Sequence, residues 1–189
     1  MYIFIDTISP NSTIILFCNN QIIAKEDFVI KWKEYDNFLS IFLEFLNNNN
    51  LSIEDIKWIV TVVWPGWFTW TRIVTLTINS ILFAKKIPLK AINYFELLEL
   101  SNLSYPILIK ANKVEYLFKN SKTEKPFLIN KEEIIPWNYS WIGDIIDFEN
   151  QDIYIQWIKD YNYFINSNKF EFKQEKIEPY YIKKPSITK

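Results

Sequence analysis

Apolar and polar positions change period several times along the chain. Tyr2 to Ile5 is a continuous apolar run closed by Asp6-Thr7, the pattern of a buried strand feeding a polar loop. Thr13 to Cys18 and Gln21 to Phe28 are apolar, β-branched runs on either side of Asn19-Asn20, a pair suited to a left-handed two-residue turn. A three-stranded meander follows from these runs. From Asp36 to Leu46 the spacing becomes helical, and the asparagines at 47 to 50 can stop it, because Asn tolerates the αL position at a helix C-terminus. Ser52-Ile53-Glu54-Asp55 reads as a helical turn leading into an apolar strand, Trp58 to Val63.

After a loop at Trp64-Pro65-Gly66-Trp67-Phe68, a second long helix runs from Thr69 to Lys86 and ends before Pro88. Leu89 to Ile92 is a strand and Tyr94 to Ser101 a short helix, so the order is β-β-β-α-β-α-β-α, an α/β arrangement. Signals weaken beyond Pro106. Ile107 to Lys110 and Val114 to Lys119 read as strands, Asp152 to Phe164 as a helix, and Glu178 to Lys183 as an extended segment. Both long helices are apolar around most of their circumference. Phe38, Leu39, Ile41, Phe42, Leu43, Phe45 and Leu46 cannot all face one sheet, and neither can Ile73, Val74, Leu76, Ile78, Ile81, Leu82 and Phe83. Two solutions are open: the helices pack on each other and on the rest of the chain, or each turns a second face to a partner protein.

Composition narrows the chemistry. With 189 residues, 49% hydrophobic and 23% charged, and a net charge of -1, the chain suits one domain or two small lobes sharing a core, not a disordered or strongly nucleic-acid-seeking protein. There is no His and a single cysteine, Cys18, which excludes an imidazole base, a Ser-His-Asp or Cys-His pair, and a Cys/His zinc or haem site. No metal site and no cofactor are expected. The start Met1-Tyr2-Ile3-Phe4-Ile5 lacks a basic n-region, and no apolar run reaches the ~18–20 residues needed to cross a bilayer, so a cytoplasmic location without a membrane partner is the expectation. Only 2 glycines stand beside 8 tryptophans, where average usage would supply about 13 glycines.

The segment Val60-Thr61-Val62-Val63-Trp64-Pro65-Gly66-Trp67-Phe68-Thr69-Trp70-Thr71-Arg72-Ile73 resembles the signature of the TsaB (YeaZ) family, a strand followed by Gly-Pro-Gly-Ser-Phe-Thr-Gly-Leu-Arg-Ile-Gly. Pro65, Gly66, Phe68, Thr69, Arg72 and Ile73 match; Trp64 and Trp70 stand at glycines, Trp67 at the serine, and Val74 at a further glycine. Ile5-Asp6-Thr7, Lys110 to Glu115 and Pro179 to Lys183 resemble other family segments in the same order. Tryptophan cannot replace a glycine that needs positive φ or close backbone approach. Either the three indoles form a cluster at the helix entrance, buried or available for stacking, or the gene uses UGA for glycine and the eight tryptophans are glycines. In the latter case the glycine count becomes 2 + 8 = 10, near ordinary usage. UGG codons at 64, 67 and 70 would exclude it.

The resemblance implies an actin/Hsp70-like, ribonuclease H-like α/β fold of two lobes with mixed sheets, residues 1–101 forming the first and 102–189 a smaller second. It further implies a scaffold that is not itself an enzyme. Such a subunit binds a TsaD-type transferase that forms N6-threonylcarbamoyladenosine at position 37 of tRNAs reading ANN codons. A TsaE-type ATPase joins through the complex, tRNA is met only through it, and a homodimer is an alternative use of the same helices. Phe38, Phe42, Phe45, Ile73, Leu76 and Ser80 are the expected partner-facing positions. Two other functions compete. An active nucleotide-using enzyme on this fold would use Asp6 at the end of the first strand, but the later Gly-rich loops and any Asp-x-Gly are missing, so Asp6 and Thr7 read as structural, bonding to local backbone. An RNA-binding module would use the Trp cluster and the tail lysines Lys183, Lys184 and Lys189, against which stand the net charge of -1 and a sole arginine, Arg72. Arg72 opposes the helix dipole in the first turns of the second helix, so a nearby carboxylate or a partner should compensate it, unless it lies exposed over Phe68.

Overall fold

The computed structural model describes residues 1–7, 12–19, 21–28, 37–64, 68–100, 105–111, 114–134, 140–141 and 176–178. The loop Pro65-Gly66-Trp67, the helix expected at 152–164 and the extended segment expected after Glu178 lie outside them.

Five strands form the first sheet: β1 (Tyr2–Asp6), β2 (Ser12–Cys18), β3 (Gln21–Phe28), β4 (Trp58–Trp64) and β5 (Leu89–Asn93), in the order β3-β2-β1-β4-β5. The meander β1-β2-β3 is antiparallel, whereas β4 and β5 run parallel to β1. That mixture follows from the connections. Between β2 and β3 the chain reverses at once, and Asn19 supplies left-handed backbone there with φ of 50°. Helices α1 (Phe38–Asn48) and α2 (Phe68–Lys85) carry the chain back for each parallel strand. Helix α1 starts two residues later than its apolar period suggests, runs through Asn48, and is followed by Asn50 at φ 55°, as the asparagine run foreshadows. Lys85 at the end of α2 pairs with Glu54 in the short helical turn Ile53–Asp55, which places a cation at the negative end of the helix.

Alternation along β1 separates two cores. Ile3 and Ile5 face α1 and α2, in a cluster with Ile14, Leu16, Ile59 and Leu89. Phe4 faces the other way, joining Phe17, Val60 and Ile92 against helix α3 (Tyr94–Leu100). The same second core contains Ile107, Ile109 and Leu117, which belong to a second sheet of β6 (Ile107–Lys110), β7 (Glu115–Lys119), β8 (Phe127–Asn130) and β9 (Ser140–Trp141). Its order is β8-β7-β6-β9, with β6-β7-β8 an antiparallel meander and β9 parallel to β6. This repeats the β3-β2-β1-β4 part of the first sheet strand for strand. The pattern of residues 107–119 foreshadows β6 and β7 but neither β8 nor β9, and β9, at two residues, is too short to carry a period.

A buried ion pair ties α3 to the second sheet. Lys119 Nζ on β7 lies 2.6 Å from Glu99 Oε1 on α3, and their side chains are only 11% and 13% exposed. Lys119 also sits 5.7 Å from the ring centres of both Phe95 and Tyr105, within reach of a cation–π attraction. The Tyr105 hydroxyl donates to the same Glu99 oxygen. Burial, and then the Glu99 carboxylate, hold the Tyr105 phenol well above its usual ionisation range. In the unfolded chain that phenol ionises near pH 10, so above this pH the unfolded state binds fewer protons than the folded one. The stabilisation is therefore complete below about pH 10 and is lost as pH rises beyond it. Comparing urea midpoints at about pH 8 and about pH 11, Tyr105→Phe should lose less stability on alkalinisation than the parent chain; equal losses would show that folding does not raise the ionisation of the phenol.

Candidate functional site

Strands β1 and β4 lie side by side and parallel, so their C-terminal ends bring Asp6, Thr7 and Thr61 to one edge of the sheet. All three are buried: 0%, 1% and 0% exposed. Alternation sends them to opposite faces. Asp6 shares the side of Phe4 and meets α3, where the Tyr94 hydroxyl donates to Asp6 Oδ2 at 2.6 Å. Tyr94 is itself 1% exposed and opens α3 directly after β5. The expectation that Asp6 closes the strand end by bonding to local backbone thus gains a different partner: a side chain 88 residues away holds its carboxylate. Sequence reading missed Tyr94 because nothing in a linear pattern links a hydroxyl at a helix start to a carboxylate on the first strand.

Thr7 and Thr61 turn to the α2 side. With Val62, Val63, Val74, Thr75, Ile78 and Ile177 they line a crevice between the strand ends and α2 that has no room for a water-sized sphere. Small-molecule sites typically offer ~300–1,000 Å³. The strand end as it stands is packed, not open. Among the described residues no group of three or more His, Cys, Asp or Glu side chains is arranged to hold a metal ion, and no helix is long and apolar enough to cross a membrane.

The outer surface of the two long helices is the other candidate. Phe38, Phe42 and Phe45, expected on a partner-facing surface, are 0–1% exposed and packed on the sheet, because the 38-42-45 spacing puts them on the same stripe as Leu46. The apolar positions that α1 leaves outward are Leu39 and Leu43, 43% and 45% exposed. On α2, Val74, Ile78 and Leu82 enter the core, while Leu76 and Phe83 are 69% and 90% exposed. Arg72, Leu76, Ser80 and Phe83 follow one another at helical spacing on the exposed side, and Ser80 Oγ donates to the Leu76 carbonyl at 2.9 Å, a bond that leaves the stripe locally self-satisfied. Ile73 is half-buried. The helices α1 and α2 touch, so Leu39, Leu43, Leu76 and Phe83 belong to one helical layer. Of the loop residues singled out by sequence, Pro65 and Gly66 lie outside the described residues, and Phe68 and Thr69 form the first turn of α2.

The fold has known relatives. One solved structure, described as an uncharacterized protein with similarity to peptidase YEAZ from Pseudomonas aeruginosa, matches with a TM-score of 0.57 and 16% identity over 72% of this chain and 70% of that one. A second, described as YeaZ from Pseudomonas aeruginosa, matches with the same TM-score and identity over 72% of this chain and 71% of its own. No protein-family model matches the chain, and no curated protein matches it. At this identity the likeness establishes the fold: the chain is built like the YeaZ structures, with one mixed five-stranded sheet and a second, four-stranded sheet beside it.

Proposed function

We propose that the chain is a non-catalytic scaffold that docks a TsaD-type transferase through the outer face of α1 and α2, in the formation of N6-threonylcarbamoyladenosine on tRNA. A TsaE-type ATPase would join through that complex, and tRNA would meet the chain only within it. The observation that carries this reading is the set of large apolar side chains left in water on two touching helices, Leu39, Leu43, Leu76 and Phe83. Scattered exposed apolar residues need no explanation, but a group on adjoining helices, one of them a phenylalanine at 90% exposure, fits the character of an interaction surface. The packed strand end supports the non-catalytic part, because Asp6 is already engaged by Tyr94 and the crevice on the opposite face of the sheet is filled.

The test is co-expression with a TsaD-type subunit followed by size exclusion. Co-elution as a stoichiometric complex is the expected result. Separate elution, with the chain alone running as a stable dimer, would assign the helical face to self-association instead.

A further inference from the structure

Helix α3 lies between the two sheets, and its buried side chains serve both at once. Phe95 and Leu97 pack in one core with Phe4 and Ile92 of the first sheet and Ile109 and Leu117 of the second. Each sheet also sends a charged side chain into this layer: Asp6 from the end of β1, on the side of Phe4, and Lys119 from β7, on the side of Leu117. A buried charge is costly unless a partner meets it, and α3 meets both. Tyr94 Oη donates to Asp6 Oδ2 at 2.6 Å, and Lys119 Nζ donates to Glu99 Oε1 at 2.6 Å, an oxygen that also accepts from the Tyr105 hydroxyl. Tyr94 and Glu99 stand five positions apart, about 7.5 Å along the helix axis and about 140° around it. The two anchors therefore sit at opposite ends and on different sides of α3.

We propose that these two polar contacts set the alignment of the sheets, with α3 as a connector pinned to β1 at one end and to β7 at the other. Apolar packing is non-directional, so Phe95 and Leu97 can stay buried while the helix slides or turns slightly between the sheets. A hydrogen bond tolerates no such slide, because it weakens steeply once its length or angle leaves the preferred range. Two such bonds, at different heights and on different sides of one helix, stop translation and rotation together. The start of α3 is fixed as well: the Asn93 N–H donates to Glu96 Oε2 at 2.7 Å and the Glu96 N–H to Asn93 Oδ1 at 2.9 Å, which ties the helix to the end of β5. Buried ion pairs contribute little net stability beside apolar residues of the same volume, and setting register is the best-attested use for them. The alignment device lies in the core between the sheets, and it operates whether or not the outer face of α1 and α2 binds a partner.

Residual dipolar couplings of the full, weakly aligned chain test this, because they report the orientation of each sheet in a common frame. In the parent chain, the amides of the first sheet and those of β6, β7 and β8 should fit a single alignment tensor. Two variants each remove one pin while keeping volume: Tyr94→Phe, and Glu99→Gln combined with Lys119→Met. In both, each sheet should keep its internal geometry while the tensor of the second sheet turns or shrinks relative to that of the first, and combining all three substitutions should enlarge the shift. Thermal unfolding of each variant establishes that it is folded under the conditions of the measurement. A folded variant of either kind whose sheets still fit the parent's single tensor would overturn the proposal, as would a parent chain whose sheets already need two. Failure of both variants to fold would overturn it too, since the contacts would then supply stability rather than alignment.

Discussion

Lys119→Ala should destabilise the fold by about 3–5 kcal/mol, one of the largest effects available to a single substitution in this chain. The lysine is 8% exposed, its ammonium lies 2.6 Å from Glu99, and the Glu99 side chain is itself only 13% exposed, so the carboxylate is left largely desolvated once the cation is gone. The cost is that of an uncompensated buried charge, to which the loss of aliphatic packing against Phe95 and Tyr105 adds. The double variant Glu99→Gln with Lys119→Met should cost much less, because it keeps the volume and leaves no net charge behind. Chemical denaturation read by circular dichroism separates the cases. A single-variant loss below about 1 kcal/mol would mean that the pair is solvated and contributes as a surface ion pair does. Since Glu99 sits on α3 and Lys119 on β7, the same measurement gauges how firmly the second sheet is fastened to the first.

What the sequence discloses about this molecule depends on range. The five strands of the first sheet and the helices α1, α2 and α3 are legible because each is specified locally: β-branched runs, an asparagine turn at Asn19, a helix stop at Asn50. Helix α1 shows where local reading ends. An all-round apolar helix announces that it has two jobs, but only the sheet decides that Phe38, Phe42 and Phe45 take the inner one and Leu39 and Leu43 the outer. The contacts that define the strand end are longer-range still. Asp6 with Tyr94 spans 88 residues and Asn79 with Ile177 spans 98, and each joins residue types that are ordinary in their own surroundings. The motif loop is the reverse case, the most informative stretch of sequence, of which Pro65, Gly66 and Trp67 fall outside the described residues.

Leu76→Glu and Phe83→Lys should each weaken association with a TsaD-type subunit by about 30-fold or more, the effect of removing an interface anchor worth at least ~2 kcal/mol, while leaving the fold intact. The two halves of that statement rest on the same exposure. At 69% and 90% exposed, these side chains contribute little to the folded monomer, so polar replacement should change its stability by no more than about 0.5 kcal/mol. Lysine at position 83 also lies in the last turn of α2, where a cation suits the helix dipole. In a docked complex the same groups would have to shed their hydration in an apolar contact, which disfavours association strongly. Phe42→Ala is the contrasting control. It is 0% exposed, and its truncation should cost about 3–5 kcal/mol through the cavity it leaves, so any loss of binding there comes with loss of the fold. Circular dichroism and titration calorimetry together read both quantities. If the Leu76 and Phe83 variants bind as the parent does, the partner engages some other surface; if they fail to fold, Leu76 and Phe83 are not the solvent-facing side chains that their exposure makes them.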